Sequence, residues 1–378
     1  MKKVLKAILP AGFKANGVAC GLKKSGKYDL ALLYSERPSL ACAKFTTNSI
    51  LAAPLIVSKK HMASCRGVRA VLVNSGNANC FTGNAGIRDA EASARYTAEK
   101  LGVSKDSVLV NSTGVIGKRL DIQSIRRGIP DLVSGLSAEG IRLAKKAIMT
   151  TDTFPKEISV CLNIGGRQVN ICAIAKGAGM IAPDMATMLC FIMTDVRISG
   201  KALDKSLGAA VDKSFNCISV DGCMSTNDTV LVMANAQAGN KLISGGKDLE
   251  DFSKALECVC MELARMVVMD AEGATKFIQI DVLGGTNYSQ AKKIALGIAN
   301  SALFKTAVFG ENPNFGRIVA AVGASGFGIK EGQLKIKMSS LKRRNIKITV
   351  RLSCGKAGAT VYTSDLTPGY IKINAQYN

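Results

Sequence analysis

Two alternating stretches, EISVCLNI and RQVNICAIA, flank Gly165-Gly166 and constrain the fold more than any other feature. A period of two turns one face of each stretch to a core. A Gly-Gly pair supplies the positive φ angles that a two-residue hairpin turn requires. The spacing therefore predicts a hairpin over 157–175. Further strands are predicted at 28–34, at 68–73 (VRAVLV), at 277–283 (FIQIDVL) and at 346–352 (IKITVRL). Helical spacing lies between them. Residues 86–101 form a polar, Ala-rich pattern; 202–215 align Leu203, Leu207, Val211 and Phe215; 248–264 align Leu249, Phe252, Leu256, Val259 and Leu263. Half-buried strands mixed with amphipathic helices predict sheets covered by helices, an α+β layered architecture. No GxGxxG follows a strand, so dinucleotide binding is disfavoured.

Composition narrows the class. The chain has 378 residues, 47% apolar and 21% charged, the profile of a globular enzyme. In MKKVLKAILPAGF, Lys6 interrupts the apolar stretch and Pro10 closes it, with no small-residue cleavage site after it. No uncharged apolar run is long enough to cross a bilayer. A soluble, cytoplasmic protein without membrane partners is expected. The 12 cysteines lie mostly in apolar stretches (Cys161, Cys172, Cys190, Cys258, Cys260) and form no C-x-x-C pair, so they read as structural thiols rather than zinc or redox ligands.

The formal charge is +22, yet Lys and Arg are spread along the chain, with one dense cluster from Lys335 to Lys347. Trp is absent and no nucleic-acid-binding motif occurs, so the charge reads as a solvated surface that helps attract anionic amino acids. Steeply salt-dependent binding to DNA would mark the opposite reading. The single histidine, His61 in SKKHMAS, reads as part of a surface loop or helix end. A hydrolase or transferase built on this chain needs a general base other than imidazole.

The segment KGAGMIAPDMATMLCFIMTDV (176–196) meets that need. A Gly- and Pro-containing loop from Lys176 to Ala186 runs into an apolar stretch from Met188 to Met193 that reads as a buried strand. Thr187 stands at the junction, where its hydroxyl could attack the Ala186 carbonyl and shift the peptide to an ester. Water would then release an N-terminal threonine, whose α-amine has an ordinary pKa of about 8 and can take the proton of its own hydroxyl. Threonine paired with its own amine is an established kind of activated nucleophile.

KGAGMIAPDMATML resembles the self-processing segment of the glutamate N-acetyltransferase / ornithine acetyltransferase family of arginine biosynthesis. Further blocks agree in order: NSGNANCFTG (74–83), NSTGVIG (111–117), TTDTFPK (150–156), VDGCMSTND (220–228), FGENPNFGR (309–317) and the terminal YIKINAQYN. The resemblance implies an αββα layered sandwich with a smaller C-terminal α/β region. It also implies cleavage at Ala186-Thr187 into chains 1–186 and 187–378, assembled as an α2β2 heterotetramer. Thr187 would carry acetyl from N-acetylornithine to glutamate in a ping-pong reaction. Thr113 and Gly114 would form the oxyanion hole, and Thr153, Lys176, Thr187, Glu272 and Asn374 would bind substrate. Lys176 suits a substrate carboxylate and Glu272 a substrate ammonium; a surface salt bridge is the plainer reading of each.

The resemblance implies no metal or organic cofactor, because the threonine carries the group itself. Acetyl-CoA is a second donor in bifunctional members, and no motif read here separates these from members that only recycle acetyl groups. The family's next binding residue would fall five positions past Asn374, beyond Asn378; Cys223-Met224 and Phe315 also depart from the usual pattern. None of these departures removes the nucleophile; loss of activity is an expectation that the missing C-terminal binding residue raises. The rival enzyme is a self-cleaving aminopeptidase of the same design, in which Ser is the usual nucleophile.

Overall fold

The computed structural model describes residues 1–182 and 188–376. Nine hydrogen-bonded strands, eight in one continuous path and one paired beside it, bend into two facing sheets. The bend is β3 (Leu30–Phe45), whose first part pairs with β2 (Phe13–Val18) and β4 (Val68–Asn77) and whose last part pairs with β9 (Thr229–Ala234). Its register breaks between Tyr34 and Ser39, where Pro38 suits an interruption of the ladder. The first sheet is completed by β5 (Val108–Val115), parallel to β4. The second continues from β9 through β8 (Leu189–Thr194), β7 (Arg167–Lys176) and β6 (Lys156–Ile164) to β1 (Lys2–Val4).

Strand alternation builds the layers. Ala31, Leu33, Val71, Val73 and Leu109 of the first sheet meet Ile174, Phe191, Met193 and Leu231 of the second in a core between the sheets. The alternate residues point outward. Leu30, Leu32, Leu72 and Val110 pack under α1 (Ala53–Ser64), α2 (Gly83–Leu101) and α3 (Ile122–Ser134). Val160, Ile171, Ile192 and Val232 pack under α5 (Gly200–Lys213) and α6 (Gly246–Met269). The short α4 (Ile141–Ala147) adds Ile141, Ala144 and Ala147 to the inner core. The result is the expected αββα sandwich. Each buried Leu, Ile or Val contributes about 1.5–3 kcal/mol relative to exposure, which is why strand register is held so firmly.

The C-terminal region has its own core under α7 (Tyr288–Ala299), α8 (Ala302–Phe309) and α9 (Phe315–Gly323). Its sheet, in the order β11-β12-β10-β13, comprises β10 (Phe277–Gly285), β11 (Leu334–Met338), β12 (Asn345–Leu352) and β13 (Ala357–Ser364). The chain continues into α10 (Pro368–Gln376).

The hairpin forms as predicted, with Gly165 at φ 55° and Gly166 at φ 80° between β6 and β7. The apolar run after Thr187 becomes β8, buried at every position because it lies between a helix layer and the opposite sheet. All twelve cysteines lie among the described residues and none forms a disulfide. Burial pushes the Cys172 and Cys260 thiols up to about 12, consistent with inert packing groups. No helix among the described residues is long and apolar enough to cross a membrane.

The surface reading of His61 is corrected. It lies in the last turn of α1 and is 1% exposed. Its Nδ1 lies 2.8 Å from the Val108 carbonyl oxygen, while Ser58 Oγ both donates to the Val110 carbonyl and accepts the Val110 amide. β5 is the edge of its sheet, and these side chains satisfy backbone groups that no further strand covers. A polar helix face is therefore a buried one.

Candidate active site

The sandwich brings the ends of β5 and β7 side by side, and a cavity of about 250 Å³ opens there. β5 contributes Thr113 and Gly114, β7 contributes its last residue, Lys176, and the following loop contributes Gly179 and Met180. Glu272, just after α6, and Asn374, on α10, close the far side. Five residues singled out from the sequence thus line one cavity.

Gly114 has φ 136°, and a Cβ there would lie 2.4 Å from the Gly76 carbonyl carbon. Only glycine lets β5 approach β4 this closely. The chain thereby carries Thr113 to the cavity wall, where its Oγ1 accepts a hydrogen bond from Lys176 Nζ at 3.1 Å. Accepting from the lysine leaves the hydroxyl hydrogen available to another acceptor.

Lys176 is 2% exposed, so the surface salt-bridge reading of this residue is overturned. Burial weakens its hold on the proton, Asp152 opposes that effect, and Lys156 adds to it. Asp152 belongs to an ion cluster beneath the cavity: Lys156 Nζ donates to Asp152 Oδ1 at 2.6 Å and to Asp270 Oδ2 at 2.5 Å. Burial alone would raise the Asp152 carboxyl, but Lys156 and Lys176 outweigh it and hold Asp152 at about 2. Asp152 also accepts the Gly177 amide at 2.7 Å and the Thr150 amide at 2.9 Å, which fixes the chain on both sides of the cavity.

Thr153 is placed differently from the other predicted site residues. Its amide donates to Asp270 Oδ2 at 2.9 Å, and its hydroxyl donates to the same carboxylate. It lines a neighbouring cavity that shares Thr150, while Thr150 and Thr151 of the same TTDTFPK block face the first one.

Glu272 Oε2 accepts from Asn374 Nδ2 at 2.8 Å. A Cβ on Gly179 would lie 2.2 Å from that oxygen, so the bare glycine lets the loop cross the carboxylate. α10 is brought here by Tyr370, whose hydroxyl donates to Asp221 Oδ2 at 3.1 Å, and by Thr367, whose hydroxyl donates to the Gly273 carbonyl at 2.6 Å.

The predicted cleavage site, Ala186-Thr187, lies outside the described residues. Its described flanks are firmly held. Upstream, the Ile181 carbonyl accepts amides from Val220, Asp221 and Gly222 at 2.8, 3.3 and 3.2 Å, and Asp221 accepts the Met180 and Ile181 amides at 2.7 and 2.9 Å. Downstream, the Met188 amide donates to Asp228 Oδ1 at 2.8 Å. Sequence reasoning passed over Asp152, Lys156, Asp221, Asp228 and Asp270. Four of the five stand in the quoted blocks TTDTFPK and VDGCMSTND, and only Asp270, directly after the apolar run MVVM, carried the local signal of a charge in an apolar neighbourhood.

Three comparisons relate the chain to known proteins. Residues 14–343 match the model of the ArgJ family. The arginine biosynthesis bifunctional protein ArgJ of Geobacter sulfurreducens is 44% identical over 388 residues, covering 97% of this chain and 98% of the relative. The glutamate N-acetyltransferase of Methanocaldococcus jannaschii is 44% identical over 400 residues, covering 97% of each. Among solved structures, ornithine acetyltransferase of Mycobacterium tuberculosis complexed with ornithine is 37% identical, with a TM-score of 0.45, over 48% of this chain and 97% of that one.

Proposed function

This chain belongs to the ArgJ family, and we propose that it is the glutamate N-acetyltransferase of arginine biosynthesis, moving acetyl from N-acetylornithine to glutamate. The observation that carries the reading is the meeting of Thr113, Gly114, Lys176, Glu272 and Asn374 at one cavity, from four separate stretches of chain.

In this reading Thr187 Oγ attacks the acetyl carbonyl of N-acetylornithine, and the α-amine of Thr187 takes the hydroxyl proton. The oxyanion that forms is stabilised by the Thr113 hydroxyl and the Gly114 amide. Collapse breaks the C–N bond, ornithine leaves with the proton, and acetyl stays on the threonine oxygen. Glutamate enters, its amine attacks the ester, and N-acetylglutamate departs as Oγ regains a proton. Lys176 offers the substrate carboxylate a partner, and Glu272, steadied by Asn374, offers one to the ammonium. Thr153 serves the site through Asp270 and the ion cluster that borders Lys176.

Self-cleavage before Thr187 divides the protein into chains 1–186 and 187–378. Their continued association is supported by the sheet itself. β7 pairs with β8 from Ile171–Thr194 to Lys176–Leu189, and β3 pairs with β9 from Leu40–Ala234 to Phe45–Thr229. Each of these ladders joins one piece to the other. The assembly is α2β2, and the site of action is the cytoplasm.

The test is a steady-state assay of ornithine release from N-acetylornithine. Release that depends on glutamate, with the parallel double-reciprocal lines of ping-pong kinetics, is expected. Release into water at the same rate without glutamate would instead mark a hydrolase.

A further inference from the structure

Lys305 is a buried lysine that the acetyl-transfer reading does not use. It stands on α8, in the C-terminal region, and is 4% exposed. A lysine is almost never fully buried unless it is paired. The Lys305 ammonium donates to the Val220 carbonyl and, at 3.3 Å, to Thr363 Oγ1 on β13. Asp221 and Asp365 are the carboxylates that face it. Burial pulls its pKa down to about 8 against both of them, so the charged form prevails at neutral pH.

The turn that Lys305 grips, 219–222, holds a wall of the cavity. Val220, Asp221 and Gly222 converge with their amides on the Ile181 carbonyl, and the Asp221 carboxylate takes the Met180 and Ile181 amides. Met180 lines the cavity and has φ 56°, a left-handed conformation that persists in a residue with a side chain only where its surroundings impose it. Asp221 Oδ2 also accepts the Tyr370 hydroxyl at 3.1 Å. That second bond matters because no residue of α10 is buried. The seat of α10 therefore relies on polar contacts: Thr367 with the Gly273 carbonyl, Tyr370 with Asp221, and Asn374 with Glu272.

We propose that Lys305 is a positioning residue for the donor-binding side of the cavity, although it stands in the other core. Its ammonium fixes the 219–222 turn, and the turn fixes the Met180 loop. Through Asp221 the turn also fixes Tyr370, and with it the seat of Asn374 against Glu272. This rests on the reading that Glu272 and Asn374 receive the ammonium of N-acetylornithine. Lys305 itself touches no substrate.

Steady-state kinetics and hydrogen exchange on the purified full protein test this. Lys305→Met keeps a long unbranched side chain and removes the ammonium. KM for N-acetylornithine should rise roughly 10-fold, with kcat changed far less, and amide exchange over 368–376 should quicken. Tyr370→Phe breaks the last link alone and should raise the same KM. The double variant should fall short of the product of the two single effects by roughly threefold or more, because both act through Asp221. Single effects that multiply, or a wild-type KM in Lys305→Met, overturn the proposal. So does exchange that quickens in α8 and β13 but not over 368–376, the mark of a merely structural loss. If Lys305→Met does not fold, Tyr370→Phe decides: a raised KM with faster exchange over 368–376 sustains the proposal, and an unchanged KM overturns it. Failure of the underlying reading looks different. Glu272→Gln would then leave KM unchanged, whereas a raised KM in Glu272→Gln beside a wild-type KM in Lys305→Met removes the role of Lys305 alone.

Discussion

Lys176 donates to the Thr113 hydroxyl at 3.1 Å, and both residues are buried. The lysine occupies an acceptor side of the oxygen and so directs the hydroxyl hydrogen elsewhere. That is the arrangement the proposed oxyanion donor needs: held in place before the charge develops.

Thr113→Ala removes that donor. Its kcat is expected to fall by about 10²–10³, equivalent to about 2.7–4 kcal/mol, with KM changing far less. Thr113→Ser keeps the hydroxyl and should recover most of the rate. Steady-state kinetics of glutamate-dependent ornithine release measure both.

Glu272→Gln keeps the shape that meets Asn374 but loses the charge offered to a substrate ammonium. A hydrogen bond to a charged group is worth about 1.5–3 kcal/mol, so KM for N-acetylornithine should rise roughly 10- to 100-fold while kcat changes less. The same assay across donor concentrations reads the split.

Asp152 lies low, at about 2, because Lys156 and Lys176 outweigh the effect of burial. A carboxyl whose folded pKa is depressed stabilises the fold above its ordinary value of 3.8, and that stability is lost as pH falls towards about 2. Asp152→Asn leaves Lys156 short of a buried partner and should cost about 3–5 kcal/mol at neutral pH. Its stability should also lack the drop expected of the wild type between pH 3.8 and about 2. Urea unfolding at a series of pH values checks both expectations.

His61 tests the claim that the catalytic base is not imidazole. Its ring covers the Val108 carbonyl on the edge strand. His61→Ala should lower stability by about 1–3 kcal/mol, the cost of a buried polar group left unsatisfied, and leave kcat unchanged once the protein is folded. Thermal melting and the transfer assay, run on one preparation, separate the two effects.

How much of this was legible in the sequence depended on whether a residue's partner lay nearby in the chain. The hairpin around Gly165-Gly166 and the stripes of α5 and α6 were readable, because period and turn chemistry are local. α1 was not. Its Ser58 and His61 look polar, and only the uncovered edge of β5, some fifty residues on, makes them a buried face. The same holds in the site. Thr113, Gly114, Lys176, Glu272 and Asn374 were named from motif resemblance, and the structure brings them to one cavity. The cluster of Asp152, Lys156 and Asp270 spans more than a hundred residues, and its burial is a property of the folded layers alone. Thr153, assigned to substrate by resemblance, has its amide and hydroxyl engaged with Asp270 of that cluster.

Intact-mass analysis of the purified protein, with and without N-acetylornithine and with no glutamate present, bears most directly on the role of Thr187. Two species divided between Ala186 and Thr187 are predicted, with one acetyl group added to the 187–378 species after exposure to the donor. A single unbroken chain, or an acetyl group carried by the 1–186 species, would contradict the account.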